Sequence, residues 1–410
     1  MDAHVFKRFV PAAFKDRYAR LWRGLAGAPK RRLCVTTIDL RRLLVGGEGI
    51  YDAASWAELT GDWQRASARL ESSLYVEFLE QYRALGDGIL EPKVFEKTAY
   101  FQNAARCIRF LGAYFGQREP GGIRAQARAF LELYERIRTG DAREVPFPSE
   151  RDHTRPGNLP VVRETLTPQV YEIADGHHRL AAAWALGHRR RTVAVLRAPA
   201  PSGLQALVLK ASPNGEKTLL QPIEAPEFDS SWKVLRSCRD GLSAMLAFLA
   251  EKNHRPADTS VLDLACAYGW FVKEFARRGF ASLGVEADPA ALHVGRVAYG
   301  LTAEQLVQSD FAAFAQKCAR AFDVVVFLGR LREPPGAGAF DRLAESLRAL
   351  ERLTRSVLFF DVEGGSSPSA RIDAIVRTVM KNTSFAHARR LGPSAGGVRD
   401  QPLLFACARR

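Results

Sequence analysis

The hydrophobic positions of the C-terminal half fall into short runs that are bounded by small or polar residues. These runs lie at residues 260–264, 283–286, 322–328, 356–361 and 402–407. Nearly continuous apolar runs of this length predict strands that are buried on both faces, as in a parallel sheet covered by helices. We therefore predict an α/β fold for this half, in which the first strand leads through a small-residue turn into a helix.

The N-terminal half predicts a smaller α+β unit with a long helical insertion. A strand is predicted at residues 33–40, and largely helical sequence with periodic aromatic residues follows from 53 to 140. Residues 170–175 predict a strand, which leads through a glycine turn into a helix and then a strand at 191–197. The predicted domains are a basic arm at 1–32, this unit at 33–200, a linker at 201–231, extended in its second part, and the α/β domain at 232–410.

The turn after residues 260–264 carries the strongest chemical signal. Its small residues alternate as Ala265, Ala267 and Gly269, beginning two residues after Asp263, and Glu286 follows seventeen residues beyond the glycine. Small residues let a ligand lie against backbone N–H groups, and a carboxylate about 20 residues further on can accept both hydroxyls of a ribose. The pattern predicts a site for an adenosine-containing cofactor.

This turn resembles motif I of the class I S-adenosylmethionine-dependent methyltransferases, and the later strands agree with that family in order and spacing. The resemblance implies a Rossmann-like seven-stranded sheet and S-adenosylmethionine as the cofactor. It also implies that Asp310 and Phe311 lie near the adenine and that Leu328, at the end of the fourth strand, lies beside the cofactor. Ala265 and Ala267 stand where the family usually has glycine, so an inactive fold remains an alternative.

A second cluster lies where the strand at 170–175 turns into a helix. It consists of Asp175, Gly176, His177, His178 and Arg179. Backbone N–H groups, the helix dipole and cationic side chains would meet there, which predicts a phosphate site. The segment resembles the ParB/sulfiredoxin-like fold, whose phosphate motif is Gly-x-x-Arg at this turn. The resemblance implies binding of ATP or another nucleotide with Mg²⁺, and the alternative is that the histidines cap the helix and pack locally.

The sequence indicates catalytic residues less clearly than it indicates binding residues. Asp152 lies with Glu150 and His153 on a polar loop upstream of the phosphate motif and is a candidate by position only. After the fourth predicted strand of the C-terminal half, Arg330 and Arg332 stand where a base is expected. Paired arginines suit an anionic acceptor, and an anionic oxygen needs no base before it accepts a methyl group. Solvated surface positions are the alternative for all five residues.

Charge and cysteine content change this picture mainly at the N terminus. The 410 residues have a formal net charge of +14, and the six cysteines form no C-x-x-C pair. No zinc site, disulfide framework or membrane span is predicted, so a cytoplasmic location fits. Residues 1–32 have a basic amphipathic pattern, which predicts docking on the protein itself or peripheral contact with the inner face of the membrane. Nucleic acid is the less favoured partner, since no DNA- or RNA-binding motif is found.

These features predict a methyltransferase for a small-molecule or saccharide acceptor. The N-terminal unit would either phosphorylate the acceptor before methylation or regulate the methyltransferase by binding nucleotide. Polysaccharide chain-terminating enzymes that pair a kinase with a methyltransferase offer a precedent by analogy. The competing hypothesis is a ParB-like nucleotide-binding regulatory or scaffold protein with a degenerate methyltransferase fold.

Overall fold

The computed structural model describes residues 33–48, 51–140, 159–196, 198–212, 214–331, 339–362, 369–393 and 403–409. The chain divides into two compact units, Met1–Ala206 and Leu207–Arg410. The predicted basic arm at 1–32 lies outside the described residues. Within the described ranges, no helix combines the length and apolar character needed to cross a membrane.

A five-stranded mixed sheet forms the base of the first unit. Its strands are β1 (Leu33–Asp39), β2 (Leu43–Leu44), β3 (Val161–Glu164), β4 (Tyr171–Asp175) and β5 (Arg190–Leu196). Their order in the sheet is β1-β5-β3-β4-β2. The β1/β5 and β3/β4 pairs are antiparallel, whereas β3/β5 and β2/β4 are parallel. The three strands predicted from the sequence of this half are therefore confirmed.

Helices occupy the interval between β2 and β3, as the sequence predicts. They are α1 (Ala53–Thr60), α2 (Leu74–Leu85), α3 (Pro92–Phe95), α4 (Ala99–Leu111) and α5 (Pro120–Arg138), with short 3₁₀ turns at Trp63–Ser67, Leu70–Ser72 and Gly86–Leu90. Ser73 and Thr98 begin α2 and α4 because each side chain accepts a backbone N–H bond from the first turn. The periodic aromatic residues form the core of this insertion, and Tyr75, Phe78 and Tyr100 are almost completely buried.

Two further helices complete the first part of the chain. Helix α6 (His177–Ala185) directly follows β4, and α7 (Gly203–Ala211) follows β5. The boundary between the two units falls inside α7. The segment 201–231, predicted as a linker with an extended second part, therefore begins with a regular helix. Its remaining residues belong to the second unit, where they make specific contacts.

The second unit contains a seven-stranded sheet. Its strands are β8 (Ser260–Leu264), β9 (Ala281–Glu286), β10 (Leu306–Gln308), β11 (Phe322–Leu331), β12 (Thr354–Val362), β13 (His387–Pro393) and β14 (Leu403–Ala408), preceded by a separate pair, β6 (Thr218–Leu219) and β7 (Lys233–Val234). The order is β10-β9-β8-β11-β12-β14-β13, with β14 antiparallel to both of its neighbours. Counted from β8, the order is 3-2-1-4-5-7-6, which is the predicted methyltransferase-type sheet.

Helices cover this sheet. They are α8 (Arg239–Glu251), α9 (Trp270–Ala276), α10 (Pro289–Tyr299), α11 (Phe311–Lys317), α12 (Ala339–Leu353) and α13 (Ser369–Asn382). Every residue of β8 is buried because alternate side chains enter two different cores, Leu262 and Leu264 on one face and Val261 on the other. The carboxyl ends of β8, β9, β10 and β11 meet at one edge, where parallel sheets bind their ligands.

Candidate functional site

The turn after β8 has a left-handed backbone conformation that glycine normally adopts. Ala265 and Ala267 adopt φ angles of 55° and 51°, and Gly269 adopts 80° at the start of α9. The left-handed region costs a residue with a Cβ atom about 1–2 kcal/mol, so two alanines there require a surrounding structure that holds them in place. The loop therefore has the alternating small-residue shape that the sequence predicts, despite its two alanines.

Glu286 is one of the groups that hold this turn. Its Oε2 atom accepts the N–H of Ala267 at 2.9 Å, and its Oε1 atom accepts those of Ala287 and Asp288 at 2.8 and 3.1 Å. The residue is only 6% exposed. The carboxylate thus lies between the turn and the end of β9, as the spacing in the sequence predicts, and the three N–H groups leave one of its roughly four lone-pair sites.

Gln221 also holds this turn through two hydrogen bonds, and the sequence analysis did not identify this residue. Its Nε2 atom donates to the carbonyl of Cys266 at 3.2 Å, and its Oε1 atom accepts the N–H of Trp270 at 3.1 Å. Nearby, the hydroxyl of Tyr299 donates to the carbonyl of Pro222 at 2.7 Å. The second part of the predicted linker is therefore fixed to the turn after β8. A single glutamine between apolar residues gives no periodic signal of such a role.

Asp263 is buried beneath the same turn, and it is 3% exposed. Its Oδ2 atom has no hydrogen-bond partner in the part of the chain that the structure describes. Burial raises the pKa of this carboxyl group to about 8; Arg236 opposes the shift and Glu286 adds to it. Arg236 also forms an ion pair with the buried Asp361, with 3.4 Å between Nη2 and Oδ2.

Asp310 and Phe311 lie at the end of β10, on the same edge of the sheet. Asp310 begins α11, and its Oδ1 atom accepts the N–H of Ala313 at 2.9 Å. The ring of Phe311 packs at 5.3 Å from that of Phe327, measured between centroids. Leu328 is buried near the end of β11. A contact between any of these residues and adenine stays a prediction.

The fourth strand of this sheet is longer than predicted. Because β11 continues to Leu331, Arg330 lies within the strand rather than after it. Arg332 lies outside the described residues. The anion-binding role of these arginines therefore remains a hypothesis from the sequence. Asp152, together with Glu150 and His153, is likewise outside the described part of the chain.

The predicted phosphate turn has the expected backbone conformation, but its two histidine side chains do not lie where the prediction places them. Gly176 has a φ angle of 92° and opens α6. His177 Nε2 lies 2.8 Å from the carbonyl oxygen of Val45, and His178 Nε2 lies 3.1 Å from the hydroxyl of Tyr100. Both imidazoles thus contact the core of the first unit. The prediction that they bring positive charge to the helix N-terminus is corrected, and the local-packing alternative describes them.

An aromatic cage explains the position of His178. Ring centroids of Phe130, Phe115 and Tyr75 lie 4.2, 4.9 and 5.2 Å from the centroid of its imidazole. Burial lowers the pKa of His178 to about 3, with a smaller effect from His177. A neutral imidazole in this cage is a hydrogen-bonded core side chain. Which side of the helix at residues 177–185 faces the core decides between the two interpretations, and that depends on the packing of the other helices.

Arg179 and Asp175 remain at the turn itself. Their side chains approach to 3.6 Å one helical turn apart, and they are 13% and 28% exposed. A Cβ atom at Gly176 would lie 2.9 Å from Cβ of Pro160 and 3.1 Å from Nη2 of Arg179, so glycine is required there for space as well as for conformation. Of the five predicted residues, these three lie at the turn, and phosphate binding there stays a prediction.

A buried polar network adjoins the histidines, and the sequence did not reveal it. Glu48 accepts hydrogen bonds from the guanidinium of Arg65, from the hydroxyl of Tyr75 at 3.2 Å and from Nδ2 of Asn103 at 3.1 Å. The side chains of Glu48 and Arg65 are 11% and 4% exposed. Only tertiary packing brings these residues together, since they are spread over 55 positions of the chain.

Comparisons with known proteins give weak structural likenesses only. No protein family and no curated protein matches the sequence. Among solved structures, the bifunctional kinase-methyltransferase WbdD is 19% identical with a TM-score of 0.39, covering 50% of this chain and 46% of that one. The chain therefore spans about half the length of that protein.

Two shorter proteins are similar to part of the chain. Magnesium protoporphyrin IX methyltransferase (ChlM) from Synechocystis PCC 6803, solved with bound SAH, is 14% identical, with a TM-score of 0.33 and coverage of 42% of this chain and 83% of that one. The methyltransferase domain of bacterial CtHen1 is 15% identical, with a TM-score of 0.33 and coverage of 42% and 98%. All three TM-scores are below 0.5, so the fold assignment rests on the strand order described above.

Proposed function

We propose that the second unit is an S-adenosylmethionine-dependent methyltransferase. The observation that carries this proposal is the turn at 265–269, whose two alanines and glycine all adopt left-handed conformations around a buried Glu286. A backbone held in this strained shape at the carboxyl edge of a sheet is typical of a ligand site. Among the described residues the Oδ2 atom of Asp263 has no hydrogen bond, and burial raises the pKa of this carboxyl group, so a cationic cofactor beside it would favour its ionised form.

Different residues at this edge would bind different parts of the cofactor. Glu286 would accept a ribose hydroxyl through the one lone-pair site that the backbone leaves available, and Asp310 would lie near the adenine. When bound, the cofactor supplies an electrophilic methyl group on a sulfonium, so the protein mainly has to position the acceptor atom in line with it. The acceptor keeps the methyl group, and S-adenosylhomocysteine leaves with the sulfur neutral.

We propose an anionic acceptor on a small molecule or saccharide. The sequence places Arg330 and Arg332, rather than an evident base, after the apolar run at 322–328. A carboxylate or phosphate oxygen is already ionised at neutral pH and attacks without losing a proton, whereas a hydroxyl usually needs a base. Arginines can hold such an anion with two parallel hydrogen bonds.

Replacement of Glu286 by alanine tests the cofactor site. The Glu286→Ala variant is expected to bind S-adenosylmethionine ten- to a hundredfold more weakly in calorimetry, because a charge-assisted contact to the ribose is lost. The matched control is Glu304→Ala, which removes an exposed carboxylate from the same unit. Glu286→Gln keeps one carbonyl acceptor for the turn and should give an intermediate affinity. A wild type that gives no binding heat would favour the degenerate-fold hypothesis.

For the first unit we propose binding of a nucleotide phosphate at the turn from Asp175 to Arg179. Gly176 in its left-handed conformation, followed by Arg179 in the first turn of a nine-residue helix, favours this role. In the fuller form of the proposal, this ParB-like unit uses ATP and Mg²⁺ to phosphorylate the acceptor, and the second unit then methylates the resulting phosphate.

The Arg179→Ala variant should lose nucleotide binding and keep S-adenosylmethionine binding, because sites that share no residues usually act additively. Arg189→Ala is the matched control, since Arg189 stacks on Trp184 beyond the other end of α6. Incorporation of labelled methyl groups, with and without nucleotide, then tests the order of the steps. Equal methylation without nucleotide would reduce the first unit to a regulatory or acceptor-binding role.

A further inference from the structure

A pocket lies in the second unit between one face of α8, one face of α9 and the segment that precedes α8. Its volume is about 540 Å³, within the range of small-molecule sites. Arg239 and Leu242 line it from α8, and Trp270, Lys273 and Glu274 line it from α9. Within the described ranges, the lining does not include the turn at residues 265–269 or Glu286, so the pocket is not the proposed cofactor site.

Positive charge exceeds negative charge in this pocket. Among the described residues that line it, the cations are Arg239, Lys273, Arg277 and Arg278, and the anions are Glu224 and Glu274. Four cations and two carboxylates leave a net charge of +2. A cleft with an excess of one charge concentrates small ions of the opposite charge, so this pocket favours an anion.

A single carboxylate, that of Glu274, lies beside three of the cations. Its nearest oxygen is 2.6 Å from Arg278, 3.3 Å from Arg277 and 3.9 Å from Lys273. Arg278 is its closest partner, and the same guanidinium donates to the backbone carbonyl of Glu274 at 2.7 Å. One negative charge offsets only one of three positive charges. Arg277 and Lys273, whose side chains are partly exposed, therefore have N–H donors for a second anion.

The remaining cation is held by an ion pair that a ligand can replace. Nη2 of Arg239 lies 2.6 Å from Oε1 of Glu224, and the two side chains are 72% and 74% exposed. An ion pair this exposed to water contributes little to stability. An anion with more than one negative charge can therefore displace Glu224 from Arg239.

The pocket also offers apolar surface, since its lining residues Leu242 and Trp270 are mostly buried. A phosphate monoester carries about −1.5 to −2 charges at neutral pH, which matches the excess positive charge, and its oxygens suit arginine and lysine. We propose that this pocket binds a phosphate-bearing small molecule. Its phosphate group contacts Arg239, Lys273 and Arg277, and its organic part lies on Leu242 and Trp270. This proposal does not depend on the methyltransferase function.

Calorimetry with glucose 1-phosphate and with ADP tests the pocket. The reference protein is the full chain with Arg179→Ala, which removes the phosphate site proposed for the first unit. Adding Arg239→Gln and Arg277→Gln to it should weaken binding of the tighter ligand by about tenfold or more, because two charge-assisted contacts are lost. The matched control is Arg255→Gln, since Arg255 is exposed in the same unit and pairs with Asp258 outside the pocket. It should bind as the reference does.

A variant that gains affinity makes the test sharper. Glu224→Gln removes the carboxylate that competes for Arg239, so the ligand should bind about two- to fivefold more tightly, the equivalent of one exposed ion pair. Glu224 is exposed, and its substitution should leave the fold intact. Cations with a merely structural role would produce no gain.

Each outcome bears on the pocket and leaves the methyltransferase proposal separate. Tighter binding of glucose 1-phosphate identifies a sugar phosphate as the ligand class, and tighter binding of ADP identifies a nucleotide. The proposal is overturned if the reference protein binds neither probe, if the Arg239 and Arg277 substitutions leave the affinity unchanged, or if Glu224→Gln does not tighten binding. Binding of S-adenosylmethionine is measured independently, so a failure of either proposal is recognised by itself.

Discussion

Replacement of Glu48 by alanine is expected to destabilise the first unit by about 3–5 kcal/mol, the usual effect of breaking a buried ion pair from one side. The variant leaves the guanidinium of Arg65 without its carboxylate in a site where it is 4% exposed. It also removes the acceptor for the hydroxyl of Tyr75 and the amide of Asn103. The free energy of opening, measured by hydrogen exchange of peptides from α2 and α4, reports the loss.

A matched control and a compensating variant give this prediction its specificity. Glu71→Ala removes an exposed carboxylate paired with Arg69 at 3.4 Å, and it should cost less than about 1 kcal/mol. Adding Arg65→Met to Glu48→Ala removes the lone charge and should recover most of the lost stability. A double variant no more stable than Glu48→Ala would mean that packing, rather than charge, is the origin of the effect.

The strands around the turn at residues 265–269 could be predicted from the sequence because both of their faces are buried. A strand buried on both faces is mostly apolar, so residues 260–264 and 356–361 are recognisable without any knowledge of their neighbours. The positions of Asp263 and Glu286 follow from the same pattern, since each lies in or at the end of such a strand. Hydrophobic periodicity and residue spacing therefore locate these strands and carboxylates from short segments of the sequence.

The contacts of the first unit could not be predicted in this way. The sequence shows that His177 and His178 begin a helix, but which side of α6 faces the aromatic core depends on α2, α4 and α5. Glu48 meets Arg65 and Asn103 through tertiary packing. Polar residues that are widely separated along the chain leave no periodic signal.

The same limit applies to Gln221 and Arg236 in the second unit. Both lie before α8, in sequence with many turn residues, where no hydrophobic period marks which side chains face inward. Gln221 is fixed by the carbonyl of Cys266 and the N–H of Trp270, and Arg236 by Asp361. Each contact forms only after the sheet and its edge are built, so residues that complete a site are harder to predict than residues that lie on its strands.

The pH dependence of stability is expected to have opposite signs in the two units. His178 in the first unit has a pKa of about 3 in the folded chain, below its unfolded value of about 6.5. The folded state therefore binds fewer protons than the unfolded state between these values, and stability is lost as pH falls. Lowering the pH from 6.5 to 5 should cost about 2 kcal/mol from this residue.

Asp263 should make the second unit less stable as pH rises, the opposite of the effect of His178 in the first unit. Its pKa of about 8 in the folded chain exceeds the unfolded value of about 3.9, so the folded state retains a proton that the unfolded state has lost. The stability from this group is fully present below pH 3.9 and disappears as pH rises toward 8. Without cofactor, the second unit should lose about 3 kcal/mol between pH 5 and 7.5 from this residue.

Hydrogen exchange, corrected for intrinsic exchange rates, can follow the two units separately between pH 5 and 8. Protection of peptides from α2 should rise with pH, and protection of peptides from β8 should fall. His178→Gln should reduce the slope in the first unit, to which the buried His177 also contributes, and Asp263→Asn should reduce that in the second unit, because the new amide does not titrate. The matched controls are the exposed His188→Gln and Asp258→Asn, which should leave both slopes unchanged. Slopes that stay unchanged in His178→Gln or Asp263→Asn would assign the pH dependence to other groups.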